Sequence, residues 1–309
     1  MSIRNRIITA DHGGDAIRVP LIEISGASDG PVTSIVAGVH GAEYCGIEAA
    51  VRLSREIDSE RLRGTLRIVT VANVPGFLGR CEVQCPVDGQ NLNRLFPGSA
   101  TKDYTDHLAS VIYENCVRDA DCVLNIHGGD IFEELVPYTG IGRTGNAQVD
   151  ERCRELGRAY GLPFLLESGS PPGAVAGGSS LNQAAQADGI TSILAESGGR
   201  GLLEEEFVET HLRGMRNTLK WMDMLDGDLE LPNEVRELTT DFWRISSEGI
   251  CYPEQAIGDR VREGQRIGEV KDWFGDTVEE LIAPRDAWIV AVVITPAARK
   301  DAIVYQVAF

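Results

Sequence analysis

The sequence predicts an α/β fold that is followed by a β-rich tail. Two apolar runs typical of buried parallel strands lie at residues 34–39 and 122–126. Strand and helix patterns alternate from about residue 17 to about residue 225, which is typical of helices layered on a central sheet. The last part of the chain has short β segments, spaced glycines and no helical pattern. With 309 residues, the chain has room for one large or two modest domains.

The elements of the first half follow in chain order. The strand at residues 34–39 precedes a helix whose apolar positions are three and four residues apart. A strand near residues 66–71 and a helix near residues 108–116 come next, before the strand at residues 122–126. The side chains behind these predictions are Ile47, Ala50, Val51 and Ile57 for the first helix, Leu66, Ile68 and Val71 for the strand, and Leu108, Val111, Ile112 and Cys116 for the second helix.

The second half of the α/β region repeats this alternation. A helix near residues 147–160 precedes a strand at residues 164–166, and a further strand is predicted at residues 191–195. Between these two strands, Ser179 or Ser180 has the side chain to cap a short helix. A long amphipathic helix is predicted from the apolar stripe of Val208, Leu212, Met215, Leu219 and Met222.

A change of character near residues 226–234 predicts a domain boundary. This stretch combines Asp-Gly-Asp with Pro-Asn, which is typical of a linker. We therefore expect one domain at residues 1–232 and a small β-rich domain at residues 233–309. The glycine-spaced segment 258–268 is typical of a compact β-barrel or hammerhead module.

The formal net charge of −18 bounds the partners of the protein. We expect no nucleic acid, because phosphate binding needs clustered Lys and Arg, and no anionic membrane surface. No apolar run reaches the roughly 18 residues of a membrane span, and no signal-peptide pattern opens the chain. We therefore expect a soluble cytoplasmic protein. An anionic substrate stays open, because a few arginines can reverse the field inside a pocket.

The seven cysteines favour free thiols over a disulfide framework. Their number is odd and their spacing irregular. Cys81 and Cys85 lie four residues apart, but no second pair completes a structural zinc site. Free thiols also agree with a reducing cytosol.

The most informative residues are His40, Glu43 and His127. The first two lie in His-Gly-Ala-Glu after one predicted strand, and the third follows another predicted strand. Two imidazoles and a carboxylate are the ligands of many catalytic zinc ions, which keep a fourth position for water. Because open α/β sheets place their sites at the carboxyl ends of strands, the three ligands can meet there. The remaining histidines, His12, His107 and His211, are expected to be solvated or structural.

A hydrolytic zinc site also needs a group that moves protons. Glu196 ends the predicted strand at residues 191–195 and precedes a glycine-rich turn, so it is the leading candidate. Glu167 also follows an apolar strand and is the second candidate. A surface acid without a catalytic role is the alternative for Glu196.

Substrate recognition is predicted in the segment 88–98. Asn93 and Arg94 are adjacent and can offer several donors to a carboxylate. Arg80, upstream, could stabilise an oxyanion that forms at the attacked carbonyl. For Arg80 and for Arg94, the alternative is an arginine on a solvated loop without a role in binding.

Four motifs resemble those of the succinylglutamate desuccinylase/aspartoacylase family, a branch of the zinc carboxypeptidase-like superfamily. They are HGAE at 40–43, NLNRLFPG at 91–98, NIHGG at 125–129 and AESGG at 195–199. Their order and spacing agree with the family over roughly residues 30–225. The tail from about residue 240 is similar to the β domain that follows the catalytic domain in this family.

The resemblance implies a zinc-carboxypeptidase-like α/β/α catalytic domain with a mixed central sheet, followed by a small all-β domain. It implies one zinc ion per chain. Many relatives have Asp where this chain has Asn91; if that Asp supports a metal-binding histidine, either Asn91 supports it without charge or Asp88 substitutes. The roles that the resemblance implies are zinc binding for His40, Glu43 and His127, acid/base catalysis for Glu196, binding of a substrate carboxylate for Asn93 and Arg94, and polarisation of the scissile carbonyl for Arg80.

The leading hypothesis is therefore a zinc-dependent amidohydrolase that acts on a small N-acyl amino acid or a related amide. A metallocarboxypeptidase acting on small peptides shares the same chemistry and is the first alternative. A non-catalytic zinc-binding interaction protein is the second. The sequence identifies neither the acyl group nor the amine, and it leaves a homo-oligomer open.

Overall fold

A computed structural model describes residues 2–81, 83–168 and 179–309. The described parts contain the strands β1 (Ser2–His12), β2 (Asp15–Ser25), β3 (Ser28–Ala37), β4 (Arg63–Val69), β5 (Cys122–His127), β6 (Glu133–Leu135), β7 (Tyr138–Ile141), β8 (Phe164–Ser168), β9 (Thr191–Glu196), β10 (Arg236–Arg244), β11 (Gly249–Pro253), β12 (Arg260–Val261), β13 (Arg266–Lys271), β14 (Thr277–Ile282), β15 (Ala287–Val293), β16 (Ala297–Ala298) and β17 (Ile303–Ala308). The α-helices are α1 (Tyr44–Glu56), α2 (Val74–Gly79), α3 (Tyr104–Ile112), α4 (Ala147–Tyr160), α5 (Leu181–Ala187) and α6 (Glu205–Trp221).

The central sheet is mixed, as predicted. Its strands lie in the order β1-β2-β4-β3-β5-β9-β7-β8-β10-β17-β15-β12, and β6 pairs with β15. The inner strands β4, β3, β5 and β9 are parallel to one another, whereas β7 is antiparallel to β9. The carboxyl ends of β3, β5 and β9 therefore lie at one edge of the sheet, where parallel sheets place their sites.

Helices cover both faces of this sheet and give the predicted α/β/α arrangement. One face packs against α1, α4 and α6 through Leu53, Leu156 and Leu212. The other face packs against α3 and α5 through Leu108 and Leu181. These side chains are almost fully buried, so each helix contributes an apolar stripe to one of two cores.

The predicted elements of the α/β region are confirmed with small shifts of their ends. Ser180 rather than Ser179 caps α5, and Gln183 completes a capping box. The strand predicted near residues 66–71 ends at Val69. The hairpin of β1 and β2 was not predicted, because β1 is an edge strand with a mostly exposed, polar sequence and only partly buried apolar residues.

The β-rich tail has a second sheet in the order β14-β13-β11-β16 and a core of its own. The predicted boundary at residue 232 falls between α6 and β10. However, β10 pairs in parallel with β8, so the large sheet continues across it. The two parts therefore share one hydrogen-bonded sheet. The division into two domains stays a prediction.

Candidate metal centre and active site

Three parallel strands bring the candidate residues to one edge of the sheet. His40 lies between β3 and α1, His127 ends β5, and Glu196 ends β9. Ala37 is in register with Ile126 on the neighbouring strand, so the turns that follow the two strands are side by side. Tight packing of the first turn requires glycine: a Cβ on Gly41 would lie 2.2 Å from the backbone of a neighbouring residue.

The predicted ligands His40, Glu43 and His127 come together. His40 Nδ1 lies 2.7 Å from Glu43 Oε1, and His127 Nδ1 lies 2.8 Å from Glu43 Oε2. One ligand atom from each residue lies within 4.8 Å of the others, and no other metal-binding cluster of three or more His, Cys, Asp or Glu occurs in the described chain. These three side chains are close enough to share one ion.

The donor set also fits a metal ion chemically. Glu43 is 5% exposed and His127 only 1%, and the two oxygens of Glu43 face Nδ1 of His40 and Nδ1 of His127. Burial raises the pKa of Glu43, but the neighbouring His127 and His40 outweigh it and lower that pKa to about 2. Burial lowers the pKa of His127. A buried carboxylate and a neutral imidazole are the states that bind zinc.

Each candidate histidine is oriented from its far side. His40 Nε2 lies 3.2 Å from Asn91 Oδ1, and His127 Nε2 lies 2.9 Å from Asn125 Oδ1. When the proton is on Nε2, Nδ1 presents its lone pair towards Glu43. Of the two candidates for supporting His40, Asn91 makes this contact, whereas Asp88 accepts hydrogen bonds from Thr105.

A third histidine holds the backbone of His127. His211 Nε2 lies 2.9 Å from His127 O, and the hydroxyl of Tyr160 lies 2.9 Å from His211 Nδ1. Burial lowers the pKa of His211 to about 4, so it is neutral and its Nε2–H can donate to that carbonyl. His211 therefore has a structural place behind the site. His12 and His107 contact each other elsewhere, with their Nδ1 atoms 3.3 Å apart.

Glu196 lies beside the candidate metal centre. It is in register with His127 on the neighbouring strand, and its Oε2 is buried without a hydrogen-bond partner among the described residues. Burial raises its pKa well above the ordinary value, and the negative charges of Glu43 and Glu133 add to this effect. By contrast, Glu167 pairs with Arg143 and does not line the cavity beside the site. The environment of Glu196 is thus the more suitable for proton transfer.

A cavity of about 510 Å³ opens at this edge of the sheet. Both parts of the chain form its walls, because β10, β15 and β17 pack next to β8 and β6. Its size is in the range of small-molecule sites. Residues that line it from the α/β region include His40, Glu43, Asn93, Arg94, His127, Glu133, Tyr138 and Glu196, and those from the β-rich tail include Thr240, Phe242, Arg244, Val292 and Gln306.

The predicted substrate-binding pair splits into two roles. Arg94 lines the cavity, forms no ion pair with a described carboxylate, and donates from Nη1 to Asn93 O at 2.8 Å. Asn93 is buried, and its Oδ1 accepts from the backbone nitrogen of Leu181 at 3.1 Å. Its Nδ2 lies 3.2 Å from His127 Nε2. Arg94 is therefore available to an anion, while Asn93 already joins α5 to the candidate metal centre.

Arg80 lies apart from these residues. It ends α2 with a left-handed backbone at φ 52°, its side chain is exposed, and it does not line the cavity in the described structure. Arg80 is only 14 positions before Arg94 in the sequence, yet its side chain is exposed at the surface. The sequence also suggests a substrate-side loop at residues 168–180, which are rich in Gly and Pro. Residues 169–178 of this segment lie outside the described residues.

Sequence reasoning missed several residues of the site. Asp130 is 1% exposed, its Oδ2 has no partner among the described residues, and burial together with Glu43 raises its pKa to about 7. Its place three residues after His127 was the only available signal. Phe242 and Arg244 were missed because they belong to the β-rich tail, whose contact with the cavity depends on the pairing of β10 with β8.

Fold and site together define an α/β protein with a candidate two-histidine, one-glutamate metal centre at the carboxyl edge of its sheet. The chain belongs to the succinylglutamate desuccinylase/aspartoacylase family. The family model described as the succinylglutamate desuccinylase/aspartoacylase catalytic domain matches residues 29–222.

Named relatives agree with this membership. The chain is 28% identical over 283 residues to an N-alpha-acetyl-L-2,4-diaminobutyric acid deacetylase of Halomonas elongata, covering 89% of this chain and 81% of that protein. Two solved structures share the fold over 99% of this chain and 95% of theirs. They are the product-bound ectoine utilization protein EutE (DoeB) of Ruegeria pomeroyi, with 23% identity and a TM-score of 0.90, and a succinylglutamate desuccinylase/aspartoacylase of Rhodobacter sphaeroides, with 22% identity and a TM-score of 0.89.

The structure also bears on two expectations from composition. All seven cysteines are free. In the described ranges, no helix has the length and apolar composition needed to cross a bilayer.

Proposed function

We propose that this protein is a zinc-dependent hydrolase that cleaves the amide bond of a small N-acyl amino acid or a related amide. The observation that carries the proposal is the convergence of His40, Glu43 and His127 beside Glu196 on one wall of a cavity. Family membership supports it, because the named relatives are deacetylases and desuccinylases.

One zinc ion would be held by Nδ1 of His40, Nδ1 of His127 and the carboxylate of Glu43. When bound, zinc supplies a Lewis acid that polarises a carbonyl and lowers the pKa of a water ligand. Asn91 and Asn125 would keep the two imidazoles in the tautomer that presents Nδ1.

Glu196 is the proposed general base and acid. Its raised pKa allows it to take a proton from the attacking water and to return that proton to the leaving nitrogen. The water oxygen bonds to the carbonyl carbon, and the C–N bond then breaks. The products are a carboxylic acid and the free amino acid.

Arg94 is the proposed anchor for the substrate carboxylate. A guanidinium offers two parallel donors to a carboxylate, and Arg94 has no carboxylate partner among the described residues. Polarisation of the carbonyl by Arg80 stays a prediction, and its exposed position gives it no support.

The Halomonas relative suggests the first substrate to test. N-acetyl-L-2,4-diaminobutyrate has the α-carboxylate that Arg94 would bind and an ammonium group that Glu133, on the cavity wall, could face. An N-succinyl and an N-acetyl dicarboxylic amino acid follow from the names of the family.

The proposal is tested with purified protein that is stripped of metal and then reloaded with zinc. The assay measures release of the free amine from N-acetyl-diaminobutyrate, N-acetylaspartate, N-succinylglutamate and a dipeptide panel. Zinc-dependent cleavage of an N-acyl amino acid is expected. Cleavage of dipeptides alone would favour the carboxypeptidase alternative, and stoichiometric zinc without any hydrolysis would favour the binding protein.

A further inference from the structure

Carboxamides, not carboxylates, support the two imidazoles of the candidate metal centre. His40 Nε2 contacts Asn91 Oδ1, and His127 Nε2 contacts Asn125 Oδ1. Within the described structure, neither Nε2 atom hydrogen-bonds to a carboxylate. This arrangement matters because the group behind a metal-binding histidine sets both the orientation of its ring and its basicity.

Backbone donors fix the direction of these amides. Asn91 Oδ1 also accepts from the backbone nitrogen of Asn93 at 2.8 Å, so this oxygen faces His40. Asn93 Oδ1 accepts from Leu181 N and lies 3.3 Å from Asn125 Nδ2. Asn125 therefore turns its nitrogen towards Asn93 and its oxygen towards the imidazole.

The supporting amides add no negative charge to the set of three ligands. Glu43 is the only carboxylate among the three ligands, so a divalent ion would retain one net positive charge at a buried site. A carboxylate behind His40 would offset part of that charge and would make the imidazole a stronger donor. A carboxamide orients the ring through its oxygen but does neither.

We propose that Asn91 is a positioning residue whose neutral carboxamide orients His40 while keeping zinc affinity below the level that a carboxylate at this position would give. The inference rests on the zinc binding proposed above. It concerns the strength with which the ion is held, so metal affinity and not turnover is the direct measurement.

Asn91 is also the position where charge can be added with the least disturbance. Its Nδ2 donates no hydrogen bond to a described residue, so Asn91→Asp keeps both acceptor contacts and loses none. Asn125 is different, because its Nδ2 donates to Asn93 Oδ1 and Asn182 Oδ1. A carboxylate there would face two carbonyl oxygens.

The experiment is a zinc titration of metal-free protein in competition with a chromophoric chelator. Four proteins are compared: wild type, Asn91→Asp, Asn91→Ala and the control Asn146→Asp. Asn146 is a matched control, because its side chain also accepts from backbone nitrogens at a helix start but is exposed and outside the cavity wall. We expect roughly tenfold tighter binding for Asn91→Asp and roughly tenfold weaker binding for Asn91→Ala. The control should match wild type.

The outcomes separate this inference from the proposed function. Affinity of Asn91→Asp equal to or below that of wild type overturns the inference alone, as does an equal gain in Asn146→Asp. If Asn91→Asp does not fold, unchanged affinity of Asn91→Ala overturns the positioning role. If wild type itself binds no zinc, the proposed function fails and takes the inference with it.

Discussion

His127 and Glu196 lie opposite each other in register at the carboxyl ends of β5 and β9. Parallel pairing of these strands thus places a candidate zinc ligand and a candidate proton-transfer group on neighbouring chains. The geometry is set by the sheet and not by a loop, which favours precise placement of both groups. The carboxylate of Glu196 is also close enough to Glu43 for their negative charges to interact, and this contributes to the raised pKa of Glu196.

Replacing Glu196 with Gln should abolish most of the activity without removing the metal. The amide keeps the size of the side chain but cannot accept a proton, so turnover should fall by roughly 10²- to 10⁴-fold. Amine release and zinc content are measured on the same preparation. Glu167→Gln is the matched control, because Glu167 also lies near a strand end but pairs with Arg143 outside the cavity. Normal turnover by Glu196→Gln would remove its assigned role.

The sequence alone identified Glu196 as a candidate but could not predict its raised pKa. Its place at the end of an apolar strand predicted that it lies at the edge of the sheet. Its burial and the nearby charges of Glu43, Glu133 and Asp130 depend on tertiary contacts. His40, Glu43 and His127 were easier to predict, because parallel strands bring their ends together. Arg80 shows the opposite case, since the path of the irregular chain after α2 decides where it lies.

The supporting residues were less predictable for the same reason. Asn125 and Asn182 act through contacts between β5 and α5, which no local pattern encodes. The β-rich tail was predicted as a separate unit, whereas the pairing of β10 with β8 makes it a wall of the cavity. A register between strands that are some 70 residues apart in sequence cannot be derived from either segment by itself.

Arg94 should act mainly through substrate binding. Arg94→Ala removes the hydrogen bonds to a carboxylate, worth about 1.5–3 kcal/mol, and should lower kcat/KM by roughly ten- to a hundredfold, largely through KM. Arg94→Lys keeps the charge but loses the two-donor geometry, so only part of the loss should be recovered. Steady-state kinetics on an N-acyl amino acid and on the matching N-acyl amine without a carboxylate make the test. An equal loss on both substrates would contradict carboxylate anchoring.

Arg80 gives a separate test of the predicted oxyanion role. Its exposed position outside the cavity wall leads us to expect wild-type kcat for Arg80→Ala. A fall in kcat comparable to that of Glu196→Gln would instead support the role predicted from the sequence. Both variants can be assayed side by side with the same substrate.

The neutral state of His211 should make stability depend on pH. Burial lowers its pKa from 6.5 to about 4, so the unfolded chain binds one more proton than the folded chain between these values. Its contribution to stability is complete above pH 6.5 and is lost as the pH falls towards 4, at up to about 1.4 kcal/mol per pH unit. Urea unfolding of metal-free wild type and His211→Gln across this range measures the slope. The variant should show a slope shallower by up to one proton, and equal slopes would exclude a buried neutral His211.

Removing the β-rich tail should make the rest of the protein largely insoluble and inactive, and not merely change its specificity. Deletion of residues 233–309 exposes the backbone edge of β8 and the buried side chains Phe164 and Leu166, which pack against Val290 and Ala308 of the tail. An unpaired apolar edge strand promotes aggregation. The fragment 1–232 should therefore be largely insoluble, and its soluble fraction should have no hydrolase activity, because β10, β15 and β17 form one wall of the cavity. Size-exclusion chromatography and amine release measure both properties; a monomeric, active fragment would show that the predicted boundary separates independent domains despite the shared sheet.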